Sequence, residues 1–197
     1  MPRLFSFLPQ LKTRRVYRSA LHPSTRFTYP ATITIEATTE PLGSGMREDV
    51  TMHSSKSSLS LCFRIARGAS IWQDPICHKP NTTITVLHTR QVVIPGLAQQ
   101  RIWYVEGCMP GPRGQGYIPF FGLSNYQPWF RQHGTFAGCT SPLYMGVSDV
   151  GQQAPYEQLF SFCGTLQQTF ASKKEVHAFF QSAEYAIFKT IVLSLHY

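Results

Sequence analysis

The chain has 197 residues, of which 43 % are hydrophobic, 13 % aromatic and only 14 % charged, with a formal charge of +8. That length supports one good core, or a small barrel with an appendage, and so few charges among so many aromatics exclude a long polar helical bundle. No apolar run approaches the roughly eighteen residues needed to cross a bilayer as a helix, so a soluble protein is expected.

Residues 1–35 hold Arg3, Lys12, Arg14, Arg15, Arg18 and Arg26, and the first acid is Glu36. Leu4, Phe7, Leu8 and Leu11 fall at helical spacing, which gives the segment the basic, acid-free, amphipathic character of a mitochondrial presequence, although Pro2 and Pro9 interrupt it. The plainer reading is a solvated basic arm able to touch nucleic acid or an anionic surface. Localisation is therefore expected to be cytoplasmic, or mitochondrial if residues 1–35 act as a presequence. Thr32 to Glu36 alternates as a strand would, so part of the arm can pair with a sheet edge. Glu40 to Ser60 concentrates Ser, Thr, Gly and charge, and reads as a linker, so the compact part is expected to begin near Leu61.

From Leu61 the pattern becomes that of strands. Leu61-Cys62-Phe63-Arg64-Ile65 alternates, and Ile84 and Val86 lie in a second alternating run. His88 to Ile102 is a long connection, within which Val92-Val93-Ile94 can add a short strand. Trp103 to Pro119, WYVEGCMPGPRGQGYIP, is the most telling stretch: Trp103-Tyr104-Val105 and Tyr117-Ile118 are strand formers flanking a Gly/Pro-rich turn. Pro119 lacks a ladder donor and suits a strand end. A Trp and a Pro on one surface would make an aromatic shelf of the kind that docks polyproline II peptides.

These residues resemble a Src-homology 3 domain over residues 60–126. The aromatic pair, the glycine-containing hairpin and Gly116-Tyr117-Ile118-Pro119 carry the likeness. Upstream, Ile76 to Leu87 fits the family pattern without a gap, with His78 at an aromatic position and Asn81 at the turn glycine. Phe120 to Leu123 intervene before Ser124-Asn125-Tyr126, so either Tyr126 or Phe121 takes the second ligand-facing position. The resemblance implies a small barrel that binds a proline-containing extended peptide between Trp103 and Pro119 on one side and Tyr126 or Phe121 on the other. Asp74 and Glu106 are the acids available to a basic ligand residue. Six Lys and Arg between residues 61 and 126 outnumber them and leave +4, which favours an acidic or neutral ligand.

Ser124 to Gln153 is rich in turn residues and large aromatics and reads as an irregular segment packed on the domain. From Pro155 the apolar spacing (Leu159, Phe160, Phe162, Cys163, Leu166, Phe170) predicts a helix. Ser172 to Glu175 has the S-x-x-E form of a capping box and opens a second helix with Val176, Phe179, Phe180, Ala183, Ile187 and Ile191 inward. Thr190 to Leu195 is apolar and β-branched enough to be a strand instead.

Five scattered cysteines without a CxxC pair read as reduced thiols, and no metal site or cofactor is expected. No nucleophile elbow, P-loop, HExxH or GxGxxG occurs, and Cys139, His133 and Asp149 have nothing that fixes them as a triad. The expected architecture is mainly β: a basic arm and linker over 1–59, an SH3-like barrel over 60–126, and an irregular segment with a helical appendage over 127–197. The expected function is a non-enzymatic protein-interaction module that recognises a proline-containing segment of a protein partner. The alternative is an RNA-binding or mitochondrial ribosome-associated small barrel.

Overall fold

A computed structural model of the protein describes residues 13–42, 45–55, 59–67, 82–97, 101–124, 133–138, 145–147, 158–166 and 169–197. It is mainly β. Strands β1 (Arg14–Arg18) and β2 (Arg26–Pro30) form a separate hairpin. The remaining strands make one antiparallel sheet: β3 (Ile33–Leu42), β4 (Gly45–Ser54), β5 (Leu59–Arg67), β6 (Thr82–Val92), β7 (Ile102–Pro110), β8 (Tyr117–Ser124), β9 (Gly134–Gly138), β10 (Met145–Val147) and β11 (Gln158–Leu166). Two short helices follow, α1 (Lys173–Phe179) and α2 (Ala183–Leu193).

The sheet is two meanders joined late in the chain. β3–β4–β5 is one, and β6–β7–β8 with β9 outside β6 is the other. β11 pairs with β5 from Gln158 to Leu166 along one edge, and shares its other edge between β10 and β8. Among the described residues β3 and β9 are the two ends, each paired on one side, so the barrel does not close.

Alternation along the strands defines an inner face. Val50 and Met52 of β4, Leu61, Phe63 and Ile65 of β5, Ile102, Tyr104 and Cys108 of β7, and Phe121 and Leu123 of β8 share one buried cluster. α2 lies against it and buries Tyr185, Phe188, Ile191 and Val192. The β1–β2 hairpin completes the cover: Phe27 is fully buried, stacked on Tyr17 at 5.1 Å and edge-on to Phe63 at 5.5 Å. Ser194 clasps β2 from the end of α2, accepting from the Thr28 N–H at 2.9 Å and donating to the Thr28 carbonyl at 3.1 Å. On the outer face Ile84, Val86, Val105 and Phe120 form a second, smaller cluster against which Trp103 and Phe136 pack.

Expectation and structure agree on β6, β7 and β8, which pair antiparallel in that order with Ile84 and Val86 on one face. The hairpin turn after β7 is closed by the Gly111 N–H to the Gly116 carbonyl at 2.9 Å. Gly116 takes a φ of 69°, and a Cβ there would meet the Phe170 carbonyl oxygen at 2.5 Å. Half of the capping box forms: Ser172 accepts from the Glu175 N–H at 3.2 Å, while Glu175 reaches past the cap to accept from the Ala171 N–H at 3.0 Å.

Other expectations are corrected. Residues 45–54, read as linker, are β4, because Glu48, Val50 and Met52 alternate inward while Arg47, Asp49 and Thr51 face out beside β3 and β5. Most of the described basic arm is the β1–β2 hairpin, so ordered structure starts well before Leu61. The apolar run after Pro155 is a strand over 158–166, since nine paired positions on β5 offer it a ladder that outweighs an ambiguous period. The single stripe after Ser172 is broken into α1 and α2, the second capped by Ser182 accepting from the Tyr185 N–H at 3.1 Å. Thr190 to Leu193 belongs to α2.

Glu48 is the fastening of the hairpin. Its fully buried carboxylate accepts from Tyr17 Oη at 2.6 Å, from the Ala20 N–H at 2.9 Å and from Ser19 Oγ. Burial and that carboxylate push the Tyr17 phenol well above its usual range, so it stays a donor. Glu48→Ala leaves the buried Ser19 hydroxyl and the part-buried bonds of Tyr17 and Ala20 without an acceptor and is expected to cost about 2 kcal/mol in urea unfolding. Glu48→Gln, which keeps a carbonyl acceptor, should cost less.

Candidate functional site

The hairpin register decides the fate of the expected peptide shelf. Trp103 stands opposite Ser124, and Pro119 stands opposite Cys108. Those pairs are five positions apart along the ladder, roughly 17 Å, and on opposite faces of the sheet. Trp103 is half-buried on the outer face, packed on the second cluster. Pro119 is buried and shares the inner face with Phe121, which is fully buried beside Tyr185 at a ring separation of 4.9 Å. Trp103, Pro119 and Phe121 therefore do not line one surface. Asp74 and Tyr126 lie outside the described residues.

Glu106 is placed otherwise than expected as well. It faces inward, 5 % exposed, and accepts from Tyr185 Oη at 2.6 Å and Lys189 Nζ at 2.6 Å, both at Oε1. Tyr185 and Lys189 sit four apart on α2 and so share one face of the helix. Tyr104 Oη is hydrogen-bonded to Tyr185 Oη, and the Lys189 ammonium lies 5.1 Å from the Tyr104 ring centroid. Burial and the Glu106 carboxylate raise the Tyr104 phenol, while burial, Tyr104 and Glu106 raise that of Tyr185. Both phenols are locked as donors. The charge pair is neutral overall and fixes α2 to β7.

His88 joins this cluster through an irregularity in β6. Val86 opposes Gly107 and His88 opposes Glu106, so Leu87 is an extra residue, a β-bulge. Were the pairing regular through Leu87, His88 would follow Ile84 and Val86 to the outer face. The bulge turns it inward beside Glu106, the re-aiming such irregularities perform. Burial pushes the His88 imidazole below its usual 6.5; Lys189, His133 and Arg90 push the same way against the pull of Glu106.

A second feature is electrostatic. Arg14, Arg15, Arg18 and Arg26 on the β1–β2 ribbon are all exposed, as is Val16 at 53 %. Register puts Arg14, Val16, Arg18 and Arg26 on one side of the ribbon, with Arg18 directly opposite Arg26. Like charges in that position cost stability. Whereas Arg47, Arg64 and Lys189 are ion-paired, none of these four has an acidic partner among the described residues.

The sequence held signals for both features. Glu106 is an acid inside an otherwise apolar strand, and Lys189 a base inside an apolar helix; each asks for a partner. Which partner, 83 residues away, only the fold supplies.

Lys189→Met strands Glu106 and is expected to cost about 2 kcal/mol in chemical unfolding, below the range for a fully buried pair because Lys189 keeps 30 % of its side chain exposed. Glu106→Gln combined with Lys189→Met, which removes both charges and keeps an acceptor for the Tyr185 hydroxyl, should recover most of that loss. For His88 the folded state binds its proton more weakly than the unfolded chain. Its contribution is therefore full above pH 6.5 and declines as the pH falls from there toward the lowered folded value. Unfolding free energies measured from neutral to mildly acid pH should fall less steeply in His88→Gln than in the parent.

No family model, curated protein or solved structure matches this chain, and its role is to be read from its own geometry.

Proposed function

We propose that the protein is a non-enzymatic binding protein whose β1–β2 ribbon engages the phosphate backbone of single-stranded RNA. The observation that carries this reading is the Arg18–Arg26 cross-strand pair, which with Arg14 puts three exposed arginines on one side of the ribbon without an acidic partner among the described residues. Folding gains nothing from facing two guanidiniums without an acid between them, whereas a polyanion laid along the ribbon relieves the repulsion. Guanidinium suits the task, since its planar fork meets phosphate oxygens two at a time. Val16, exposed between Arg14 and Arg18, adds an apolar contact for a sugar or base. An anionic lipid surface offers the same charge, and RNA is preferred because a narrow ribbon follows a single chain of phosphates.

A second reading keeps the protein-interaction module. β3 is ten residues long, pairs only with β4 among the described residues, and exposes the side chains of residues 36–41. Such an edge can accept an extended segment by strand addition, with prolines in the ligand tolerated where their nitrogen points away. This places the extended partner at β3 instead of a Trp103 shelf.

Fluorescence anisotropy with a single-stranded RNA across a salt series separates these readings. Three phosphate contacts, from Arg14, Arg18 and Arg26 on one side of the ribbon, predict a slope of log K against log salt of about −2, and Arg18→Ala with Arg26→Ala should reduce its magnitude by about 1.4. Trp103→Ala should leave it unchanged. A slope indifferent to the arginines sinks the ribbon proposal, and stronger binding to phosphatidylserine vesicles than to RNA at equal salt reassigns it to membrane. Protection of β3 amides from hydrogen exchange by a proline-containing peptide, with no RNA affinity, favours the second reading.

A further inference from the structure

The cluster around Glu106 borders a cavity that neither binding surface uses. It lies between the β6–β7 ladder and the two helices and measures about 210 Å³. Glu106 and Lys189 stand at its wall and cancel in charge. Both donors to Glu106 reach Oε1 and neither takes Oε2, while Lys189 spends one of its three N–H groups on the carboxylate. His88, turned inward by the bulge, adds a ring held neutral, with one donor and one acceptor nitrogen. From the helices come His177 and the Gln181 amide, whose side chains bond no other group among the described residues, and the ring of Phe180.

We propose that this cavity binds a small, uncharged, hydroxyl-rich molecule of polyol or monosaccharide size, held by Glu106, Lys189, His88 and Gln181 with one face against Phe180. Charge compensation selects the class. An anion drawn to Lys189 would lie against the Glu106 carboxylate, and a cation drawn to Glu106 would lie against the Lys189 ammonium. A hydroxyl group suffers neither penalty, because it donates to Glu106 and accepts from Lys189, His88 or Gln181 in turn. Hydrogen bonds to charged groups are the stronger kind, so the pair recognises a neutral ligand without being separated. Phe180 covers the C–H face such a molecule presents between its hydroxyls. The site shares no residue with the arginine ribbon, so failure of either leaves the other standing.

The test is saturation-transfer NMR on the full chain with glycerol and D-glucose as neutral probes, and inorganic phosphate and ethanolamine as charged ones. A saturable signal from a neutral probe, with shifts confined to the His88 and His177 rings and the Gln181 amide, is the expected result. Gln181→Ala changes an exposed side chain and should leave the thermal midpoint intact while weakening the neutral probe about tenfold. RNA affinity should not move. The proposal falls if neither neutral probe saturates, if phosphate or ethanolamine binds more tightly than both, or if Gln181→Ala binds like the parent.

Discussion

A carboxylate taken out of water loses hydration worth several kcal/mol and regains it only from donors placed close to its oxygens. Glu48 and Glu106 put that demand on the inner face of the sheet, at its two halves. The β1–β2 segment meets the first with a phenol, a hydroxyl and a backbone amide. α2 meets the second with a phenol and an ammonium. Apolar burial alone would let a hairpin or a helix slide over a greasy surface; a carboxylate accepts only the geometry that satisfies it. The packing of Phe27 on Phe63, and of Tyr185 on Phe121, follows from where those anchors sit.

β11 imposes a second constraint, on the order of assembly. Each meander can form from near neighbours, but the strand that joins them arrives about a hundred residues after its partner β5. Until it does, both meanders expose an unpaired edge, and loop closure of that length is slow to be rewarded. The helices that fill the inner face come later still in the chain. The two halves therefore become one sheet through contacts that are nearly all non-local.

How much of this was legible depended on how local its cause is. The β6–β7–β8 order could be read because alternating strands and a Gly/Pro turn lie within forty-odd residues. The cap of α1 was equally local. β4 was hidden because its outward positions carry Arg47, Asp49 and Thr51, so composition drowned the alternation of Glu48, Val50 and Met52. β11 was misread because Leu159, Phe160, Phe162 and Cys163 suit either period, and the choice was made by a distant strand. The Trp103–Pro119 shelf failed on parity: the turn sets the pairing so that the two residues face opposite ways. Charge was visible early, but the opposition of Arg18 and Arg26 needed a hairpin that the basic run concealed.

The extra residue at Leu87 has a consequence for how this chain can change over generations. Upstream of it, Ile84 and Val86 supply the outer cluster; downstream, His88 faces the cavity and Val92 joins the inner core. One residue thus separates two incompatible parities in a single strand. Losing Leu87 itself would close the bulge and leave His88 opposite Glu106, with every later pair of β6 unchanged. Losing or gaining a residue within the regular run on either side would instead turn all side chains beyond that point to the other face. The bulge is therefore the one place in β6 where the count of residues can fall by one without cost to parity, and lineages descending from this sequence should vary in length there and only in letters elsewhere along the strand.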